Sequence, residues 1–272
     1  MSFDGHPGRK GDVMEDLRNL AWEVFRQVQE KRPLVQCITN FVTVNDCANI
    51  ILAAGGSPSM AHDIREAAEA VTMAQGLICN LGAIGDTDAM EEAGKEANRR
   101  GIPVIFDPVA AGGTSLRRAE SARLMRAVYF SVIRGNASEI RFLAGEQSSV
   151  KGVDAGAFDE ITEENLPDAA KVVEKLAGKT GSVIAVSGRV DLLSDGSQTV
   201  ILRNGTPMMA RITGSGCMLT ALVGALCGAH QEDCFTAAFA AASVMGICGE
   251  LADEKRLERR TGNASFRSDL ID

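Results

Sequence analysis

Short apolar stretches alternate with helix-like stretches along most of this chain, and no other feature constrains its fold as strongly. Segments such as PLVQCITN, GLICNLGA and VIFD have the length and apolar content of buried strands, and the segments between them have helical patterns that often end at glycine. Strands joined in this way by helices form parallel sheets with both faces covered. The sequence therefore predicts an α/β protein with a mostly parallel sheet and helices on both faces.

The two ends of the chain have simpler patterns. Residues 1 to about 12 carry glycine, proline and charge without periodicity, which predicts a loose tail, and a helix is predicted from Asp12 to Lys31. Three strands with glycine-containing turns are predicted between residues 182 and 205, and the hairpin-like strands near 189 to 203 predict an antiparallel addition at one sheet edge. The last segments predict two helices followed by a polar tail. No element is assigned to residues 145 to 163.

Composition excludes several classes of protein. A chain of 272 residues with 45% apolar and 24% charged residues is typical of one folded domain, and its net charge of −8 argues against nucleic acid as a partner. The N-terminus lacks the apolar core of a signal peptide, and no stretch has the length and lack of charge of a membrane span. Seven cysteines without a CxxC pair suit a reducing compartment. We therefore expect a cytoplasmic protein with no membrane partner.

A glycine-rich turn runs directly into an apolar helix in RITGSGCMLTALVGALCGA, residues 211 to 229. Such a turn leaves backbone N–H groups uncovered and aims them, with the positive end of the helix, at one point. This arrangement predicts an anion site, and phosphate is the anion that such sites usually bind. Cys217 lies in the first turn of the helix, where the same field favours a thiolate.

Polar residues follow the predicted strands, where the loops of a parallel sheet converge on a ligand crevice. They include Asn40, Asn80, Gly82, Asp107, Pro108, Arg134, Asn136, Ser187 and Gly188. Among these loops, Asp107 and Glu139 supply carboxylates suited to Mg²⁺, and Arg134 supplies a cation for phosphate. Together with the glycine turn they are the parts that phosphoryl transfer needs. The chain has no GxxxxGK[ST] sequence, so it is not a P-loop enzyme.

Five motifs in order carry a family resemblance: PLVQCITNFVTVNDCANIILAAGGSPSMA, VIFDPVAAGG, VIRGNASEI, VIAVSGRVDLL and ITGSGCMLTALVGA. They resemble the signature of hydroxyethylthiazole kinase, a thiamin-salvage family of the ribokinase-like superfamily. The resemblance implies a ribokinase-like three-layer sandwich and a single kinase domain over residues 33–272. It leaves residues 1–32, the N-terminal tail and helix, outside the match.

The same resemblance implies an activity and a set of site residues. It implies phosphorylation of the hydroxyl of 4-methyl-5-(2-hydroxyethyl)thiazole, with ATP as co-substrate and Mg²⁺ as cofactor, by a homotrimer with active sites at subunit interfaces. By motif position, the thiazole would be contacted by Met60 and Gly214 in a pocket lined by Asn40 and Val42. ATP would be bound by Arg134, Ser187 and Gly216, and Mg²⁺ would be served by Asp107 and Glu139. Cys217 stands where the superfamily usually has an aspartate base, so it is a weak base or a positioning group.

Three alternatives stay open at this stage. A cysteine nucleophile at a helix start could catalyse acyl transfer or hydrolysis, but it needs a base beside it, and His230 lies about 20 Å along the same helix. A related kinase for a pyrimidine, pyridoxal or sugar hydroxyl would share the glycine turn and Asp107. A nucleotide-binding protein without catalysis would keep the core but need not keep both carboxylates and the turn.

Overall fold

The computed structural model describes residues 10–145 and 160–272, and one sheet of eight strands dominates it. The order of the strands across the sheet is β2-β1-β3-β4-β5-β6-β7-β8. The first six strands are parallel, and β7 and β8 add antiparallel strands at one edge. Their bounds are β1 Leu34–Ile38, β2 Ser57–Ser59, β3 Gly76–Asn80, β4 Val104–Asp107, β5 Val132–Asn136, β6 Val183–Ser187, β7 Asp191–Ser194 and β8 Thr199–Leu202.

Helices cover both faces of this sheet. In chain order they are α1 Lys10–Lys31, α2 Val44–Ala54, α3 Ala67–Val71, α4 Thr87–Arg100, α5 Ser115–Ala127, α6 Ala137–Leu143, α7 Leu166–Thr180, α8 Ser215–Ala229, α9 Cys234–Arg259 and α10 Asn263–Ile271. Short 3₁₀ turns occur at Ile84–Asp86 and Pro207–Arg211. Glycines in the left-handed conformation, Gly55, Gly101 and Gly181, end α2, α4 and α7, as their sequence positions predict.

Two separate apolar cores make the fold a three-layer sandwich. One core lies between the sheet and α1, α2, α8, α9 and α10, and the other lies between the opposite face and α3 to α7. Successive strand residues contribute to opposite cores, as Ile105 and Phe106 of β4 do. The α/β fold with a mostly parallel sheet and an antiparallel edge is therefore confirmed.

Two local predictions need correction. The helical pattern of DIREAAEAVTMAQ, residues 63–75, predicts a helix over the whole segment, but the structure has only the five residues of α3. Residues 63–66 form a turn in which Asp63 accepts a hydrogen bond from the Arg65 backbone. The predicted polar tail at the C-terminus is instead the end of α9 followed by α10. Phe266 and Leu270 are buried four residues apart, so α10 has one apolar face despite its polar composition. Of the unassigned residues 145–163, those from 146 to 159 lie outside the described residues.

Helix α8 is the most enclosed helix of the described chain. Every residue from Met218 to Ala229 is buried, and the helix packs against α1, α2, α9 and strands β1, β3 and β4. Two glycines allow its close approach to the sheet: a Cβ on Gly76 would lie 2.7 Å from the Gly224 carbonyl oxygen, and a Cβ on Gly224 would lie 2.8 Å from the Ile78 side chain. This contact fixes the height of α8 above β3.

Helix α9 is the only described helix long and apolar enough to cross a membrane by length and composition. Its apolar 18-residue window is 61% buried within the protein, where it packs against α1, α8 and α10. A buried core helix passes the same test, so this feature is weak evidence for a membrane span.

Candidate active site

The carboxyl ends of the parallel strands bring together residues that are far apart in sequence. Asn80 at the end of β3 lies beside Asp107 at the end of β4 in the strand register, and Asn136 of β5 lies beside Ser187 of β6. The N-terminus of α8 reaches the same edge, because Thr220 in its second turn contacts Asp107. The predicted convergence of strand ends and glycine turn is therefore present.

Asp107 is the buried carboxylate at the centre of this edge, with 1% of its surface exposed. Its Oδ2 accepts hydrogen bonds from Asn80 Nδ2 at 2.9 Å and from Thr220 Oγ1 at 2.9 Å, and Arg134 Nη1 lies 3.9 Å away. Its Oδ1 is buried and has no hydrogen-bond partner among the described residues. Burial raises the pKa of Asp107 to about 6, although the Arg134 charge opposes this rise; the Glu139 charge adds to it.

Arg134 of β5 lies between Asp107 and the glycine turn. It is 8% exposed, and its Nη2 donates a hydrogen bond to Ser187 Oγ. A Cβ on Gly216 would lie 2.5 Å from Arg134 Nη1, so the guanidinium packs directly on the backbone of the first turn of α8. The predicted ATP-binding residues Arg134, Ser187 and Gly216 therefore lie in one contiguous group.

The glycine turn forms the N-terminus of α8. Gly214 precedes the helix with φ +86°, in the left-handed region, and a Cβ there would lie 2.5 Å from Thr43 Cγ2. The Gly214 carbonyl accepts the first helical hydrogen bond, from the Met218 N–H at 2.8 Å. The N–H groups of the three residues between them therefore extend from the helix end, as an anion site requires.

Cys217 lies in this first turn and accepts hydrogen bonds through its sulfur. Asn80 Nδ2 donates to Sγ at 3.3 Å, and Asn40 Nδ2 donates to it at 3.5 Å. Burial raises the pKa of the Cys217 thiol, and the nearby Asp107 charge raises it further; hydrogen bonds and the Arg134 charge only partly compensate. The thiol form is thus favoured at neutral pH, and the expected preference for a thiolate is outweighed by burial.

Of the residues predicted to contact the thiazole, Asn40 and Val42 lie in the turn after β1, and Asn40 also contacts Cys217. Asn40 Oδ1 accepts hydrogen bonds from the backbone N–H groups of Val42 and Thr43 at 3.1 and 3.2 Å, which folds the turn after β1. This turn exposes 57% of Val42 and 91% of its neighbour Phe41. Met60 follows β2, and its partly buried side chain packs against the apolar core that includes α8. Asn40 thus organises the turn, and Val42 has little apolar cover from its own chain.

Glu139 has a structural role that the sequence left undecided. Its Oε2 accepts a hydrogen bond from the Asn136 N–H at 2.8 Å, and the Asn136 side chain accepts one from the Glu139 N–H, which forms a capping box at the start of α6. Its Oε1 accepts a hydrogen bond from the Ala110 N–H at 2.8 Å. The carboxylate therefore joins α6 to the loop after β4, with lone pairs left for a further ligand.

Sequence reasoning missed three residues of this site. Thr43 contacts the glycine turn, Thr220 binds Asp107, and Asp191 at the start of β7 accepts a hydrogen bond from the Gly188 N–H at 2.9 Å. Burial raises the pKa of Asp191 to about 6, with the Arg134 charge opposing. Of these three residues, only Thr220 could have been found from the sequence. It lies three residues after Cys217, so the two side chains are on the same face of the helix.

The rival interpretation of Cys217 as a nucleophile finds no base in the described structure. Its sulfur accepts hydrogen bonds from the side-chain amides of Asn40 and Asn80. His230 Nδ1 lies 3.2 Å from Glu232 at the far end of α8, and His62 lies 3.7 Å from Asp86. Neither histidine has a hydrogen bond to the thiol in the described structure, so the site favours the chemistry of phosphate groups over acyl transfer.

Comparison with known structures defines the class of protein. The chain superimposes on a ribokinase-like superfamily protein from Enterococcus faecalis with a TM-score of 0.59 at 11% identity, covering 88% of this chain and 84% of that one. This likeness shows a ribokinase-like fold, in agreement with the three layers described above. The family is shown by proteins that are more similar in sequence.

The sequence model of the hydroxyethylthiazole kinase family matches residues 25–272. A hydroxyethylthiazole kinase of Ruminiclostridium cellulolyticum is 46% identical over 261 residues, which cover 95% of this chain and 93% of that protein. The structure of the hydroxyethylthiazole kinase from Pyrococcus horikoshii OT3 aligns with a TM-score of 0.80 at 34% identity and covers 93% of this chain and 91% of that one. The chain belongs to the hydroxyethylthiazole kinase family.

Proposed function

We propose that this protein transfers the γ-phosphoryl group of ATP to the hydroxyl of 4-methyl-5-(2-hydroxyethyl)thiazole, in the salvage of thiamin. The observation that carries the proposal is the junction of Asp107, Arg134 and the open N-terminus of α8 within a chain of this family. In the reaction the substrate oxygen forms a bond to the γ-phosphorus, and the bond from that phosphorus to the bridging oxygen of ADP breaks. The hydroxyl proton leaves to a base or to solvent.

The anion site of the protein would hold the transferred group. The exposed N–H groups at the start of α8 and the guanidinium of Arg134 are aimed at the same edge, where negative charge spreads over the phosphoryl oxygens. Ser187 would add a hydroxyl donor beside Arg134. Burial strengthens each of these interactions relative to water. ATP binding at Arg134, Ser187 and Gly216 is therefore part of the proposal.

The donor set fits Mg²⁺. The ion takes oxygen ligands and keeps several waters, so one or two carboxylates are sufficient. Asp107 Oδ1 is a buried carboxylate oxygen without a hydrogen-bond partner in the described chain, and Glu139 retains lone pairs beyond its two backbone contacts. When bound, the metal would neutralise charge on the phosphate groups. We assign its ligands to Asp107 and Glu139, acting in part through water.

The substrate alcohol would lie between Cys217 and the turn after β1, with its ring against Met60, Val42, Asn40 and Gly214. Because the thiol of Cys217 is held neutral by burial, we expect it to position the hydroxyl more than to deprotonate it. The exposure of Val42 and Phe41 beside the site supports a homotrimer in which a second copy covers this side. The free cysteines support action in the cytoplasm.

A coupled assay for ADP with a panel of hydroxylated heterocycles tests this function. We expect ADP release that depends on the thiazole alcohol and on Mg²⁺, and much less with pyridoxal, a hydroxymethylpyrimidine or a sugar. Turnover confined to one of those other alcohols would refute the substrate assignment. Binding of ATP without turnover of any alcohol would refute the catalytic one.

A further inference from the structure

The two oxygens of the Asp107 carboxylate have opposite surroundings. Oδ2 accepts two hydrogen bonds of 2.9 Å, from Asn80 Nδ2 and Thr220 Oγ1, whereas Oδ1 has no partner among the described residues although it is buried. Both donors are buried as well, Asn80 with 1% and Thr220 with none of its surface exposed. A buried carboxylate oxygen without a partner is costly unless a ligand uses it.

The amide of Asn80 can take only one orientation. Its Oδ1 accepts hydrogen bonds from the Gly82 N–H at 2.8 Å and from Asn40 Nδ2 at 3.3 Å, and only an oxygen can accept both. Its Nδ2 must then face the opposite way, where it donates to Asp107 and to Cys217 Sγ at 3.3 Å. Asn80 therefore joins the carboxylate, the thiol and the turn after β1 in one network.

Thr220 anchors the same carboxylate from α8. Its single hydroxyl proton lies within reach of Asp107 Oδ2 at 2.9 Å and of the Gly216 carbonyl at 3.2 Å. The carboxylate is charged and closer, so it is the stronger acceptor, and the Thr220 hydroxyl donates its hydrogen bond to Asp107. Because the N–H groups at the start of the same helix form the anion site, this bond also sets the distance between that site and the carboxylate.

We propose that Asn80 and Thr220 are positioning residues that hold Asp107 by Oδ2, so that Oδ1 is directed to the magnesium-bound phosphates. One anchor would leave the carboxylate free to rotate about its Cβ–Cγ bond, and anchors from β3 and α8 together prevent that rotation. This inference rests on the proposed function for its choice of ligand. It assigns a role in presenting the metal ligand to Asn80 and Thr220, neither of which the family resemblance names as a site residue.

Binding of ADP to the full-length protein tests the inference, measured by calorimetry with Mg²⁺ and again with EDTA. Thr220→Val keeps the shape of the side chain and removes the donor. We expect it to reduce the Mg²⁺-dependent strengthening of ADP binding by about tenfold, which is the usual effect of losing a hydrogen bond to a charged group, while affinity in EDTA stays within twofold. In turnover, kcat should fall with little change in KM for the alcohol.

Two further variants serve as controls. Thr220→Ser retains the hydroxyl and should restore the Mg²⁺ dependence. Thr236→Val changes another buried threonine, whose hydroxyl donates to the Asp233 carboxylate at 2.5 Å on α9, and it should alter stability but not the Mg²⁺ dependence. If Thr220→Val does not fold, Asn80→Ala, which removes the amide donor without placing a second carboxylate beside Asp107, should give the same loss.

The outcomes separate this inference from the proposed function. An equal loss of ADP affinity with and without Mg²⁺ would show a structural role for Thr220 and would overturn the inference, as would an unchanged Mg²⁺ dependence. If the wild-type protein turns over no thiazole alcohol but its ADP binding shows the predicted dependence on Thr220, the substrate assignment fails and the positioning role stands.

Discussion

Replacement of Gly216 by alanine should disable ATP use without unfolding the protein. The new Cβ would lie 2.5 Å from Arg134 Nη1 and 3.0 Å from Nη2, whereas ordinary van der Waals contact begins at 3.4 Å. The guanidinium must therefore retreat by about 0.9 Å, or the start of α8 must move by as much. Arg134 is buried and bonded to Ser187, so either movement disturbs the only guanidinium near Asp107 in the described chain.

The magnitude follows from that displacement. Loss of one hydrogen bond to a charged group costs about 1.5–3 kcal/mol, and a misplacement of about 1 Å costs roughly 100-fold in rate. We therefore expect Gly216→Ala to lower kcat/KM for ATP by about 100-fold. The melting temperature should change little, because alanine is a better helix former than glycine.

The assay is steady-state kinetics with ATP varied at saturating thiazole alcohol, paired with a thermal melt. Gly178→Ala is a matched control, since Gly178 lies in helix α7 with no atom within 4 Å of a built Cβ. It should stabilise the protein by about 0.5–1 kcal/mol and leave the kinetics unchanged. Wild-type kcat/KM for ATP in Gly216→Ala would refute the close contact between Arg134 and the start of α8.

Three further predictions concern other parts of the molecule. Cys217→Ala should lower kcat without abolishing it, and Cys217→Asp should keep or raise it; complete loss in both variants, in the ADP assay, would refute the positioning role. In the ligand-free protein, Asp107 and Asp191 have folded pKa values near 6, above the ordinary 3.8, so their contribution to stability should be full below about pH 4 and be lost as the pH rises through 6. Melting temperatures of wild type and Asp191→Asn across that range measure this contribution, and an unchanged pH dependence in the variant would contradict it. Phe266→Ala should cost about 3–5 kcal/mol in chemical denaturation because Phe266 is fully buried, and a loss below 1 kcal/mol would show that α10 is not part of the core.

The sheet and its helices could be predicted because each is encoded locally. Apolar strands such as GLICN and glycines such as Gly101 at helix ends need no information from distant residues. Helix α10 could not be predicted in this way, because only Phe266 and Leu270 of its nine residues are buried and its other residues resemble a solvated tail. The face that it covers exists only once α9 and α2 are in place.

The site was predicted in its parts but not in its connections. Asp107, Arg134 and Cys217 stand out by residue type and by their positions after strands or before a helix. The bond from Thr220 to Asp107 joins residues 113 positions apart, and no periodicity in the sequence encodes such a pairing. Asn136 and Glu139 have the spacing of a capping box in the sequence NASE, and the structure shows this cap directly, whereas the metal role of Glu139 stays a prediction.

The contact of Gly76 with Gly224 has a consequence for how this protein can evolve. A side chain at either position would act as a wedge between helix and sheet, and the displaced end of α8 would carry its unpaired N-terminal amides away from the Asp107 carboxylate of β4. Mutations that loosen this seam should therefore lower heat resistance and catalytic output together. Selection for either property would preserve the same pair of glycines, although Gly224 lies about two helical turns along α8 from Gly216.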